Sequence, residues 1–169
     1  MSRFKNRLLA RLLTRFPWLL HRAAEKVAAI EVEGVPWMPF AGDLSGCMVA
    51  LVTTAGVHLR SQEPFDMEDP NGDPSFRELP SGAPRGDYTI THDYYDHTDA
   101  DKDLNIVYPI DRLKEMEQAG AIGSLAPVNF GFMGHVDGPY IETLIRKTAP
   151  EVASRLREEG AGAVLLTPG

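Results

Sequence analysis

The sequence predicts an α/β domain, a mostly parallel sheet with flanking helices, and three observations predict it. Cys47 to Thr54, CMVALVTT, is a continuous apolar run rich in β-branched residues, the composition of a strand covered on both faces. Leu104 to Gly120 reads as a strand running at once into an amphipathic helix that stops at a glycine. Ala161 to Gly169, AGAVLLTPG, follows a helix-stopping Gly160 with an apolar run and a Thr-Pro-Gly turn, the pattern of a buried strand leaving into a tight loop. In open α/β sheets ligands bind at the loops that leave the carboxyl ends of strands, so Thr54 and Thr167 stand where chemistry is placed.

Composition narrows the field. With 169 residues there is one domain's worth of chain, and 43% hydrophobic with 24% charged residues is ordinary for a folded globular protein. The single cysteine, Cys47, excludes an internal disulfide framework and points to a reducing, cytoplasmic setting. No run approaches the roughly 18 apolar residues of a membrane span. Residues 1 to 26 hold seven Lys or Arg and one acid, which leaves 10 basic and 23 acidic residues in the body. An acidic body repels phosphate backbones, so no nucleic-acid partner is expected.

Taken in order, Phe4, Leu8, Leu9, Leu12 and Leu13 fall at helical spacing flanked by Arg3, Arg7, Arg11 and Arg15, which makes residues 3 to 16 a basic amphipathic helix. Pro17 breaks it, and Trp18 to Ile30 forms a second helix, so residues 1–30 are a helical arm and 31–46 a connector to the domain at 47–169. The arm either packs on its own acidic domain, the reading preferred here, or makes peripheral contact with an anionic membrane or an acidic partner. Ala55-Gly56 turns out of the first strand and brings His58 near its end. Ser61 to Gly86 is rich in Pro, Gly, Asp and Glu and is expected to be an ordered surface excursion anchored by Phe65, Phe76 and Leu79 rather than a core element. Its DPNGD lacks the twelve-residue ligand spacing of a calcium loop.

Asp87 to Thr91 alternates like a short strand and delivers HDYYDHTD, His92 to Asp99, the most chemically dense stretch. Two imidazoles among carboxylates serve proton transfer or metal binding, although the spacing fits no zinc motif; the same groups equally serve to cap turns. Pro109 starts a helix with Ile110, Leu113 and Met116 on one face. Pro127 to Met133 is a further strand, with Gly131 and Gly134 allowing close backbone approach, and its FGFMG is no dinucleotide fingerprint. Pro139 opens a helix, and Thr148-Ala149-Pro150-Glu151 reads as a capping box starting another that runs to Glu159.

VALVTTAGVHL at Val49 to Leu59, DPNGDPSFR at Asp69 to Arg77, THDYYDHTDADKDLNIVYPIDRL at Thr91 to Leu113, GAIGSL at Gly120 to Leu125, FGFMGHVDG at Phe130 to Gly138 and VLLTPG at Val164 to Gly169 carry a resemblance. Together this stretch resembles the selenoprotein B family of the glycine, sarcosine, betaine and D-proline reductases. Independently, the alternation of buried strands and helices after residue 46 predicts a layer architecture similar to flavodoxin-like folds. In that family the TPG turn is followed by selenocysteine or cysteine, with a second cysteine a few residues on. The resemblance therefore implies a domain incomplete at its C-terminus, cut before the selenocysteine by an in-frame UGA read as stop. It also implies an oxidoreductase subunit that cleaves a carbon–nitrogen bond reductively in a small amino acid or betaine, within an oligomer whose partner subunit carries a pyruvoyl group.

The family's segment before Asn105 to Pro109 also leads with a histidine. On that basis His92 and His97 are the proton-transfer candidates, and Thr54, His58 and Thr167 line the substrate site. No cofactor is expected within the 169 residues and no metal site is assigned. Two other readings stay open: a non-catalytic module docking a partner through its basic arm, and a metal-dependent hydrolase using His92, Asp96 and His97.

Overall fold

The computed structural model describes residues 3–16, 18, 39–40 and 42–169. The expected second helix of the arm and most of the connector lie outside the described residues. The described elements are helix α1 (Arg3–Arg15), strands β1 (Met48–Thr53), β2 (Val57–Leu59), β3 (Phe76–Pro80) and β4 (Tyr88–Ile90), helices α2 (Thr98–Lys102) and α3 (Ile110–Gln118), strands β5 (Ser124–Leu125) and β6 (Val128–Phe132), helices α4 (Tyr140–Thr143) and α5 (Ala149–Glu158), and strand β7 (Ala163–Thr167). This is an α/β fold.

The main sheet is built around β1, whose continuous apolar run is buried from Val49 to Thr53. Strand β7 pairs with it in parallel along one side, from Val49↔Ala163 to Thr53↔Thr167. Two strands share the other side, both parallel: β5 against Met48 and Val49, β6 against Val52 and Thr53. Between them the Leu51 N–H has no strand to bond, and the Asn129 carboxamide from β6 takes its place. Strand β3 closes that edge antiparallel to β6, while β2 and β4 form a separate antiparallel pair.

Alternation along β1 sends its residues into two cores. Val49 and Leu51 meet Val107, Tyr108, Ile110 and Leu113 on one face. Ala50 and Val52 meet Phe130, Phe132, Val152 and Leu156 on the other. The helix predicted after Pro109 thus covers one face and α5 the other, as the apolar spacing of each requires.

Four expectations are corrected. Leu104 to Tyr108 is not a strand: Leu104–Ile106 is a 3₁₀ turn capped by the Asp103 carboxylate on Asn105 N–H, with Leu104, Val107 and Tyr108 buried and Ile106 exposed. Apolar residues closely spaced in a capped turn mimic a strand's composition. The Pro- and Gly-rich excursion contributes β3, because Leu79 is fully buried and the main-chain groups of the segment pair with β6. The capping box at Thr148 does not form, since Thr148 is itself helical (φ −76°, ψ −40°) and a π turn, Leu144–Thr148, carries α4 into α5. Finally, β7 is not buried: it is an edge strand paired with β1 alone, and Val164, Leu165 and Leu166 are 43%, 40% and 71% exposed on its incompletely covered faces.

Candidate functional site

Parallel pairing brings the carboxyl ends of β1, β6 and β7 to one rim, where their loops are tied together. The Thr54 N–H donates to the Thr167 carbonyl at 2.9 Å, and the Gly56 N–H to the Phe132 carbonyl at 2.9 Å. Below them the hydroxyls of Thr53 and Thr167 both donate to the Val107 carbonyl, at 2.8 and 2.7 Å. Thr167 therefore holds its strand end in place with the hydroxyl expected to line the site, while Thr54 stays exposed at the rim. The turn after β7 lies on the β1 loop: a Cβ added at Gly169 would stand 2.4 Å from the Ala55 Cα.

The His92–His97 segment forms the adjoining wall. Gly56 adopts φ +73°, a conformation that side chains disfavour, and a Cβ there would meet the Thr91 carbonyl at 2.4 Å and the His92 Cβ at 3.2 Å. The Tyr95 hydroxyl donates to the Ala55 carbonyl at 3.1 Å, and burial pushes it above the usual phenol range, so it remains a donor at all physiological pH. His92 is buried, with its ring 4.6 Å from that of Tyr95. Its Nδ1 accepts the Tyr94 main-chain N–H at 3.1 Å. A main-chain N–H only donates, so the neutral ring carries its proton on Nε2.

Burial, first, and repulsion from His97 and His135 lower the His92 imidazole to about 4, against the Asp93 charge and a hydrogen bond donated to the Met133 main chain, which favour the charged form. At neutral pH His92 is an uncharged ring that orders the wall. A histidine held below its ordinary value leaves the unfolded chain with more bound protons, so the stability it contributes is complete above about pH 6.5 and is lost as pH falls toward 4. Urea unfolding at pH 7 and pH 4.5 is expected to show a loss of about 2 kcal/mol that His92→Gln lacks. The same loss in both proteins would put the protonation elsewhere.

His97 differs. Its Nδ1 meets the Asp101 Oδ2 at 2.9 Å across one turn of α2, and its side chain, 13% exposed, borders a cleft shared with Tyr95, Asp96 and Thr98. His58 does not reach the rim: buried on β2, it is bonded through Nδ1 to the Leu59 carbonyl and through Nε2 to the Thr91 hydroxyl, both at 2.8 Å. It props the start of the His92 segment instead. Gly131 and Gly134 make the close approaches their type suggested, against the Val57 and Thr54 carbonyls. Sequence spacing gave no sign of Tyr95, nor of the Tyr94–His135 stack at 4.0 Å, since both depend on loops far apart in the chain. Cys47 is half-buried at the amino end of β1, away from the rim. Among the described residues no group of three or more His, Cys, Asp or Glu is placed to hold a metal ion, and no helix is long and apolar enough to cross a membrane.

A parallel α/β domain whose strand-end loops converge on a histidine- and tyrosine-lined wall is the class of protein that fold and site define. The family model described as glycine/sarcosine/betaine reductase selenoprotein B matches residues 24–169, and the chain belongs to that family. The chain is 42% identical over 133 residues to D-proline reductase subunit gamma of Acetoanaerobium sticklandii, covering 79% of this chain and 53% of that protein. It is 31% identical over 146 residues to glycine reductase complex component B subunit gamma of Carboxydothermus hydrogenoformans, and 30% identical over 146 residues to sarcosine reductase complex component B subunit beta of Peptoclostridium acidaminophilum; each match covers 79% of this chain and 30% of the relative. The chain thus spans about half, or less, of the length of these relatives. No solved structure matches it.

Proposed function

We propose that this chain forms the active-site platform of a reductase subunit that cleaves a carbon–nitrogen bond in a small cyclic or N-substituted amino acid, D-proline foremost. The observation that carries the reading is the seating of the Thr167-Pro168-Gly169 turn on Ala55, beside the wall that His92 and Tyr95 build. The residue after such a turn stands at the rim of a parallel sheet, and the loops there leave Thr54 free and keep Tyr95 as a donor. These residues fit a reactive selenium or sulfur atom supplied just beyond Gly169, which would act as a soft nucleophile toward carbon while nitrogen departs. The identity to a D-proline reductase subunit, higher than to the glycine and sarcosine reductase subunits, supports D-proline as substrate.

This chain's own residues would orient the substrate and move a proton. Breaking the bond forms a C–H bond and releases the amine, consuming two electrons and two protons, so a dithiol must return the electrons. Cys47 cannot, lying at the far end of β1. His97, oriented by Asp101, delivers the proton to the departing nitrogen; Tyr95 holds the Ala55 loop; His92 keeps the wall in register. A pyruvoyl-bearing partner subunit holds amine substrates as the second half of the site.

The 169-residue chain alone, given D-proline and dithiothreitol, is expected to yield no ring-opened amine, and measurable turnover would show the centre lies elsewhere. Fused to the downstream part of the Acetoanaerobium subunit and assembled with its partner subunits, it is expected to turn over, with His97→Gln lowering kcat by about 100-fold. A folded, assembled fusion without turnover would overturn the proposal.

A further inference from the structure

Helix α1 lies against the His92–His97 wall with its apolar stripe turned outward. Asn6 and Ala10 are its buried residues, whereas Phe4, Leu8, Leu12 and Phe16 are 76%, 50%, 44% and 44% exposed. A helix that docks to bury apolar surface does the reverse. The contact is polar instead: Arg3 Nε lies 2.6 Å from Asp93 Oδ2 and Arg7 Nε lies 3.9 Å from Asp93 Oδ1. Asp93 is 2% exposed, so its charge relies on these guanidinium groups, themselves half in solvent. The family match begins at residue 24, after α1.

We propose that α1 is a strap over the wall, latched by Arg3 on Asp93, and that its closure gates access to His97. The cleft it roofs is about 160 Å³, bordered by Arg7 and Arg11 from the strap and by Tyr95, Asp96, His97 and Thr98 from the wall. With α1 swung aside, that volume opens further to a small polar molecule. A latch whose guanidinium groups stand half in solvent, with little apolar burial beneath it, yields to salt. Calling the wall part of a reductase site rests on the proposed function; the strap itself does not, and its test needs no turnover.

The rate of His97 modification by diethyl pyrocarbonate, followed in the full chain at pH 7, reads the gate directly. In 20 mM salt Arg3→Glu is expected to react about tenfold faster than wild type, Arg3→Lys like wild type, and wild type in 500 mM salt like Arg3→Glu. Cys47 alkylation, at the opposite end of β1, is expected to stay unchanged throughout. A His97 rate indifferent to salt in wild type would overturn the strap even where a variant fails to fold. An equal rise at His97 and Cys47 would overturn it too, by making Arg3 a support of the whole domain.

Discussion

Asn129→Leu is expected to cost the domain about 3 kcal/mol, a large share of the 5–15 typical of such proteins. The reason is topological. Strand β1 is paired on one side by β5 at Met48 and Val49 and by β6 at Val52 and Thr53, and neither strand serves the main chain between. The Asn129 Oδ1 accepts the Leu51 N–H at 2.7 Å, while its Nδ2 donates to the Ser81 hydroxyl at 2.8 Å and to the Ala126 carbonyl at 3.3 Å. Both Leu51 and Asn129 are 0% exposed, so water cannot replace the lost partner. Leucine matches the volume and leaves the Leu51 N–H orphaned in the core. Ser81 also bonds the Ala126 carbonyl, so its hydroxyl is not stranded. Denaturant unfolding of the two proteins measures the difference; a loss below about 1 kcal/mol would mean that the strand junction finds another acceptor.

Such a residue shows how far this fold was legible in the sequence. The runs at Cys47 to Thr54 and Pro127 to Met133 announced β1 and β6 because strands buried on both faces leave no choice of residue type. Pro109 and Gly120 bracketed α3 by fixing its ends. What stayed hidden was decided by partners distant in the chain. Asn129 looks like a polar interruption of a strand until β5 and β6 are seen to share one edge of β1. The segment with β3 looks too polar for a sheet, yet Leu79 and β6 hold it. Thr148 carried a plausible cap, but continuity of α4 through the π turn into α5 left its hydroxyl buried without a hydrogen-bond partner.

The candidate site divides along the same line. The Thr167-Pro168-Gly169 turn and the His92–His97 segment were visible as dense local chemistry. That His92 is an uncharged ring and His97 lies beside the cleft follows from burial, which local sequence does not encode. Likewise Arg3 and Asp93 are far apart in sequence, and only the docked arm makes them a pair.

Gly134→Ala is expected to be the costliest change at the rim, at about 4 kcal/mol, and to displace the loop that carries Thr54. Gly134 has φ +92°, where any side chain is strained, and an added Cβ would lie 2.2 Å from the Thr54 carbonyl oxygen and 3.3 Å from the Thr54 Cβ. The first of these contacts is to main chain, which cannot rotate away. Moving it breaks the ties by which Thr54 meets Thr167 and Gly56 meets Phe132. Gly120 supplies the contrast: at φ +70° it needs the same left-handed backbone, but nothing lies within 4 Å of its added Cβ. Gly120→Ala is therefore expected to cost only the conformational strain, about 1 kcal/mol. The excess in Gly134→Ala over Gly120→Ala, read by urea unfolding, measures how tightly the ends of β1 and β6 are pressed together. Equal losses would mean that Gly134 serves its backbone angle alone and that the β1 and β6 loops do not touch at the rim.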